Sequence, residues 1–261
     1  MNPPFNTNGL KSLFRYPFQG KEWGRKLLYL GLFWLAGSIV PVVPWLFALG
    51  YFAEIVRRVV NDEADLGLPE WTDWNRLLMD GLRVLGAGLI VSLPIAVIFF
   101  LGFSIHFGTT LTTIGLGDTG REDLIFIPMM GGMMALFCSM AVGTLLSFGL
   151  GLVSAPSVTH MVVKQEFAAL FRFKEWWRVL RANLGGFLIA FFILLGLYFV
   201  FQMLTAFVIY SVVLCGLLPV LGAVVCPYLT VISAVLFGQA YREGRDTLAA
   251  NSAEELLAEG I

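Results

Sequence analysis

The densest set of side chains able to do chemistry lies between Glu70 and Arg83. Glu70, Asp73, Arg76, Asp80 and Arg83 mix both signs over fourteen positions, and Trp71 and Trp74 lie among them. Mixed charge at helical spacing forms a solvated, ion-paired face, and tryptophan anchors such a face at the headgroup level of a membrane. Aromatic rings combined with arginine are also what recognition surfaces are made of. The seven residues are therefore read as a candidate cytoplasmic docking surface for a protein partner or a lipid headgroup. Other chemistry is thin. Gly115-Leu116-Gly117-Asp118-Thr119-Gly120 fits GxGxxG, but phosphate binding by that motif needs a preceding strand and a following helix, and here it lies between two apolar segments. Met129, Met130, Met133, Met134 and Met140 could offer thioether sulfur to Cu(I), yet no Cys/His cluster accompanies them, and methionine packs readily beside small residues. His106 and His160 have no spaced partner, and Cys138, Cys215 and Cys226 show no CxxC spacing. No catalytic residue, cofactor or metal is expected.

Asp80-Gly81-Leu82-Arg83 resembles the opening of the motif in membrane phosphotransferases that act on CDP-alcohols. Those enzymes hold divalent metals with several further aspartates, whereas residues 84–107 contain no acid. The sequence thus points away from an enzyme.

The elements that must position these residues are apolar. Hydrophobic residues make up 58% of the chain and charged residues 13%, with a mean hydropathy of +0.81. Uncharged runs occupy 27–53, 84–117, 124–163 and 182–241, each longer than the ~20 residues a membrane helix needs. A net charge of −1 gives no argument for nucleic acid. The first residues lack a basic region followed by an apolar core, so no cleavable signal peptide is evident. No Asp, Glu, Lys or Arg sits deep within an apolar run, where such groups mark proton relays and ion paths.

Pro41-Val42-Val43-Pro44 breaks the first run. If it is a turn, every Lys and Arg of the 17 except Arg121 falls on one side of the membrane; a single crossing divides them far more evenly. The positive-inside rule selects the turn. The expected fold is all-α: a polytopic helical membrane bundle of six membrane segments, arranged as three helical hairpins with amphipathic cytoplasmic feet at Trp23, Trp74 and Trp177. A polar lead-in (1–20) precedes a single membrane domain (21–245; hairpins about 21–60, 70–163 and 171–245), with a polar tail (246–261) in which Ser252-Ala253-Glu254-Glu255 could cap a short helix. Residues 106–123 read as an outer loop, and Trp176, Trp177, Leu180 and Leu184 as one face of the third foot.

The helix expected from Gly131 to Ala155 carries small residues at every fourth position: Gly131, Ala135, Ser139, Gly143, Ser147, Gly151 and Ala155. Lipid tails are as apolar as leucine, so membrane helices associate by close contact, and small residues allow it. The stripe reads as a packing ridge crossed obliquely by its partner.

Gly50-Tyr51, Arg57-Arg58-Val59, Leu68-Pro69-Glu70-Trp71, Asp73-Trp74 and Asp80-Gly81-Leu82, preceded by Tyr16-Pro17-Phe18 and Trp23, resemble the prokaryotic membrane proteins grouped as domain of unknown function 4013. The likeness covers roughly the first 100 residues, and the remainder in its hydropathy. It implies a protein of the prokaryotic inner (plasma) membrane and brings no activity or site; the charge distribution over six segments puts both termini of this multi-pass chain in the cytoplasm. The functional expectation is a non-enzymatic scaffold or accessory subunit among membrane lipids, with a membrane-protein partner; the alternative is a permease or lipid-handling transporter without proton coupling.

Overall fold

Two short helices separated by three residues begin the core. The computed structural model describes residues 7–62 and 67–258. After α1 (Thr7–Arg15), α2 (Trp23–Ile39) and α3 (Val43–Val60) flank a break at 40–42. Val42 makes it, with φ 77° and ψ −66°, and Val43 N–H donates to the Pro41 carbonyl at 3.1 Å. This is a γ-turn in the left-handed region, which a β-branched residue enters only under strain. The Val42 side chain is half-exposed. Val42→Gly is therefore expected to stabilise the protein by about 1 kcal/mol, read as a raised unfolding temperature in mild detergent.

The remaining helices are α4 (Trp74–Asp118), α5 (Phe126–Lys164), α6 (Phe173–Ala182), α7 (Leu184–Tyr210) and α8 (Leu218–Ala258), with no strand among the described residues. Of the six expected segments, four are helices long and apolar enough to cross a membrane: Trp74–Asp118, Phe126–Lys164, Leu184–Tyr210 and Leu214–Glu254. With 17 and 18 residues, α2 and α3 reach only about 25–27 Å at 1.5 Å per residue, against ~30 Å of hydrocarbon. The long helices run through Pro94, Pro156 and Pro227.

The chain divides into two compact units, Met1–Ala87 with Ala155–Ile261, and Gly88–Ser154. In the first, α8 is the spine. Glycines bring it close to three neighbours. A Cβ on Gly31 of α2 would lie 2.6 Å from the Ala223 carbonyl, one on Gly238 3.0 Å from Val59 of α3, and one on Gly244 2.6 Å from the Val179 carbonyl of α6. On α7, Ala190 and Leu194 pack with Ile232 and Leu236. The expected tail helix is absent as a separate element: α8 continues through Ser252, whose hydroxyl donates back to the Leu248 carbonyl at 3.0 Å.

The second unit is a two-armed hairpin. The stretch expected as a loop from 106 is helical to Asp118. Its threonines explain this. Thr109 and Thr110 donate to the His106 carbonyl, Thr112 to Gly108 and Thr113 to Thr109, all within 3.0 Å, so no hydroxyl is left bare in an apolar setting. Gly120, at φ 71°, ends the helix: its N–H reaches the Gly117 carbonyl at 3.1 Å and that of Arg121 reaches Leu116 at 2.9 Å. The pattern is a Schellman cap, so the GxGxxG stretch is a helix terminus.

Candidate functional site

The charged end of the first unit is organised by two helices touching through backbone. A Cβ on Gly50 of α3 would collide with the Leu77 carbonyl of α4, and one on Gly81 of α4 would collide with the Leu46 carbonyl of α3. The pairs Leu46/Gly50 and Leu77/Gly81 thus oppose each other head to tail. At this crossing α3 is buried nearly all round: Tyr51, Ala53, Ile55, Val56, Val59 and Val60 are all interior, and so is Arg57.

A buried guanidinium needs anions. Arg57 Nη2 donates to Asp80 Oδ2 at 2.5 Å and to Glu54 Oε2 at 2.6 Å. Arg83 reaches the other Asp80 oxygen at 3.1 Å, and Arg76 lies 3.5 Å from Glu54 and 3.9 Å from Asp80. Asp80 is 5% exposed and Arg57 6%, so this pair forms the interior of the network while Arg76 and Arg83 cover it from outside.

A second tie holds the segment leading into α4. Lys26, also buried, donates from Nζ to the Leu68 carbonyl at 2.7 Å and pairs with Glu70 at 2.7 Å. That lysine holds the Glu70 carboxyl below the usual carboxylate range. Trp71 donates to the Lys26 carbonyl at 3.2 Å and stacks on Tyr51, ring centroids 4.2 Å apart. Tyr16 donates to Gly67 O at 3.1 Å and Tyr51 to Pro69 O at 3.0 Å. Asp73 caps α4, its Oδ1 accepting from Arg76 N–H at 3.1 Å.

Burial pushes the Tyr16 phenol from about 10 up to about 12. A phenol whose pKa is raised on folding adds stability below its unfolded value, and the contribution is lost as pH climbs from about 10 towards 12. Stability should fall over that window by about 1 kcal/mol per pH unit. Comparing Tyr16→Phe with the parent isolates the term from lysine titration. The variant should be flatter across the window and about 1 kcal/mol less stable at pH 8, because the Gly67 carbonyl loses its donor.

Of the seven residues expected to form a docking face, Trp71 and Asp80 are interior. Glu70 and Arg83 are engaged by Lys26 and Asp80, while Asp73, Trp74 and Arg76 keep an exposed edge. The sequence reading missed Lys26, Arg57, Tyr16 and Tyr51 as their partners. The available signal was Arg57 itself, a cation that falls between the apolar positions Val56 and Val59 of α3.

His160, which has no spaced partner in the sequence, is 3% exposed. Its Nδ1 lies 2.7 Å from Tyr241 Oη and its Nε2 3.1 Å from Glu175 Oε2, joining α5, α8 and α6.

The small-residue stripe divides between the units after Gly151. Within the hairpin, Ser139 meets Gly102, Gly143 meets the Phe99 ring, and the Ala135 carbonyl lies 3.3 Å from a Cβ on Gly102. Gly131 has open space, and its neighbour Gly132 meets Thr109 and His106 instead. Ser147 donates back to the Gly143 carbonyl at 2.8 Å, Gly151 is half-buried, and Ala155 is buried in the first unit. A four-residue repeat drifts by about 40° per step on a helix of about 3.6 residues per turn, so seven members sweep about 240° and cannot all face one partner. The five methionines are exposed, and no group of three or more His, Cys, Asp or Glu suited to a metal occurs among the described residues.

Four apolar helices of crossing length, with a buried ion-pair network at one end of the first unit, define a helical membrane protein. The chain belongs to the DUF4013 family: the model described as "Protein of unknown function (DUF4013)" matches residues 33–210. The match begins after Trp23 and extends well past residue 100, through α7. No curated protein matches the chain, and no solved structure does.

Proposed function

We propose that the protein is a non-enzymatic scaffold or accessory subunit of the prokaryotic inner membrane, with both termini cytoplasmic. The observation that carries this reading is the construction of the Gly88–Ser154 hairpin. Its small residues, Gly102, Gly132, Ser139 and Gly143, meet between the arms, while Phe100, Phe103, Phe107, Met134, Phe137 and Leu145 are all more than half exposed. Its charges are confined to 118–123, so both arms offer lipid or partner helices an uninterrupted apolar flank. Asp73, Trp74 and Arg76 add an exposed polar edge on the first unit, which fits a cytoplasmic contact.

The orientation rests on Arg121, the single basic residue in 84–163, standing at the hairpin turn while the other cations lie on segments before and after it. The α2–α3 pair, too short for two ordinary crossings and charged at both outer ends, is read as re-entrant. That completes six membrane segments in three hairpins. Reporter fusions should place Lys11 and Arg57 in the cytoplasm and Arg121 outside; Lys11 and Arg57 in different compartments would overturn the layout. Gentle-detergent purification with mass spectrometry tests the role. A stoichiometric membrane-protein partner supports the scaffold, whereas a tightly retained lipid and no protein would replace it with a lipid-handling permease.

A further inference from the structure

The third foot, α6, is amphipathic in an unusual sense, because both of its faces carry aromatic rings. The inner face is docked: Trp176, Val179 and Leu180 are buried, Trp176 Nε1 donates to the Leu170 carbonyl at 3.1 Å, and Gly244 of α8 lies against the Val179 carbonyl. Trp177 and Leu184, which the sequence reading put on that same face, point outward. The outer face consists of Phe173, Lys174, Trp177, Arg178 and Arg181, positions i, i+1, i+4, i+5 and i+8 of one helix, all exposed. Phe171 extends it at 51% exposure, and the Arg181 guanidinium lies 5.3 Å from the Trp177 ring centroid.

The charge on this face is one-sided. Glu175 turns towards His160, and Glu166 is taken by Arg172 at 2.7 Å. No carboxylate among the described residues pairs with Lys174, Arg178 or Arg181. The foot is also fixed in direction. Asn183, between α6 and α7, caps α7 by accepting from Gly186 N–H at 3.1 Å. Its Nδ2 donates to the Ala240 carbonyl at 2.9 Å and to Glu243 at 3.0 Å, tying the corner to α8. The apolar span Leu184–Tyr210 starts two residues after α6 ends, which sets the exposed rings and cations at the boundary of the bilayer.

We propose that the outer face of α6 is a binding site for the phosphate headgroups of anionic phospholipids. Water alone would accept the cations but leave Phe171, Phe173 and Trp177 bare, while hydrocarbon alone would take the rings and refuse the charges. The headgroup layer of an anionic leaflet suits both, and the three cations supply a complementary charge that a zwitterionic layer does not draw on.

The test is native mass spectrometry of the full chain in detergent doped with equal phosphatidylglycerol and phosphatidylcholine. The parent should retain phosphatidylglycerol at least about fivefold over phosphatidylcholine, the preference expected of one well-placed cation. The triple variant Lys174→Gln/Arg178→Gln/Arg181→Gln should bind the two equally, and Arg178→Gln alone should give an intermediate ratio. Equal retention by the parent, or an undiminished preference in the triple variant, overturns the site. So does a triple variant that loses a co-purifying protein while its lipid ratio is unchanged, since the face would then be a protein interface. A partner lost or kept elsewhere on the molecule bears on the scaffold reading alone.

Discussion

Asp80→Asn is expected to destabilise the protein by about 3–5 kcal/mol, the range for a buried ion pair that loses one member. The substitution keeps the volume of the side chain and removes its charge. Arg57 would retain Glu54, which Arg76 and Arg58 also approach, while Arg83 would lose its carboxylate outright. The buried guanidinium is the expensive group, because its Nε has no partner in the folded protein and the carboxylate at 2.5 Å is its closest compensation. Replacing both partners by apolar residues, Arg57→Met with Asp80→Leu, should recover most of the loss, as well-packed substitutes for buried ion pairs do. Denaturant unfolding in mild detergent, run as a double-mutant cycle, measures both. A loss below 1 kcal/mol for Asp80→Asn would show that the network is a surface feature after all.

Gly50→Ala should cost about 3 kcal/mol, the upper end for overpacking, because the added methyl meets the Leu77 carbonyl and no side chain can move aside. Relief requires α3 and α4 to separate, which also stretches the Arg57–Asp80 contact made across the same crossing. Gly81→Ala meets the Leu46 carbonyl and should behave alike. Gly185→Ala is the matched control. It lies near the start of α7 with nothing within 4 Å of its would-be Cβ, so alanine should stabilise by about 0.5–1 kcal/mol. Opposite signs at Gly50 and Gly185, read from thermal midpoints, separate a contact requirement from helix propensity. Equal signs would remove the backbone crossing as the reason α3 and α4 hold together.

Much of the fold is legible in one dimension because burial in lipid leaves a coarse signature. Long uncharged runs with charged ends locate α4, α5, α7 and α8, and Pro41–Pro44 locates the break between α2 and α3. Thr72 and Asp73 are both recognisable as caps by their place before an apolar period, and the structure selects Asp73. The Thr-rich stretch misleads because threonine prefers turns when water can satisfy its hydroxyl, whereas here the hydroxyl returns to its own helix. The stripe on α5 is legible as a winding ridge, but that Ala135, Ser139 and Gly143 are the members meeting the other arm is visible only in the fold.

What the sequence alone determined is composition-level and local: an all-helical membrane protein, the membership marked by Arg57-Arg58-Val59 and Leu68-Pro69-Glu70-Trp71, and the break at Pro41–Pro44. What only the tertiary structure decided is which charges are spent internally. Asp80 and Arg57 stand twenty-three positions apart and Lys26 and Leu68 forty-two, separations at which no periodicity reports a neighbour. The crossing at Gly50 and Gly81 brings them together, turning part of an apparent docking face into a buried tie. The packing of α6 through Trp176, Val179 and Leu180 likewise decides that Lys174, Arg178 and Arg181 face outward without a carboxylate partner among the described residues.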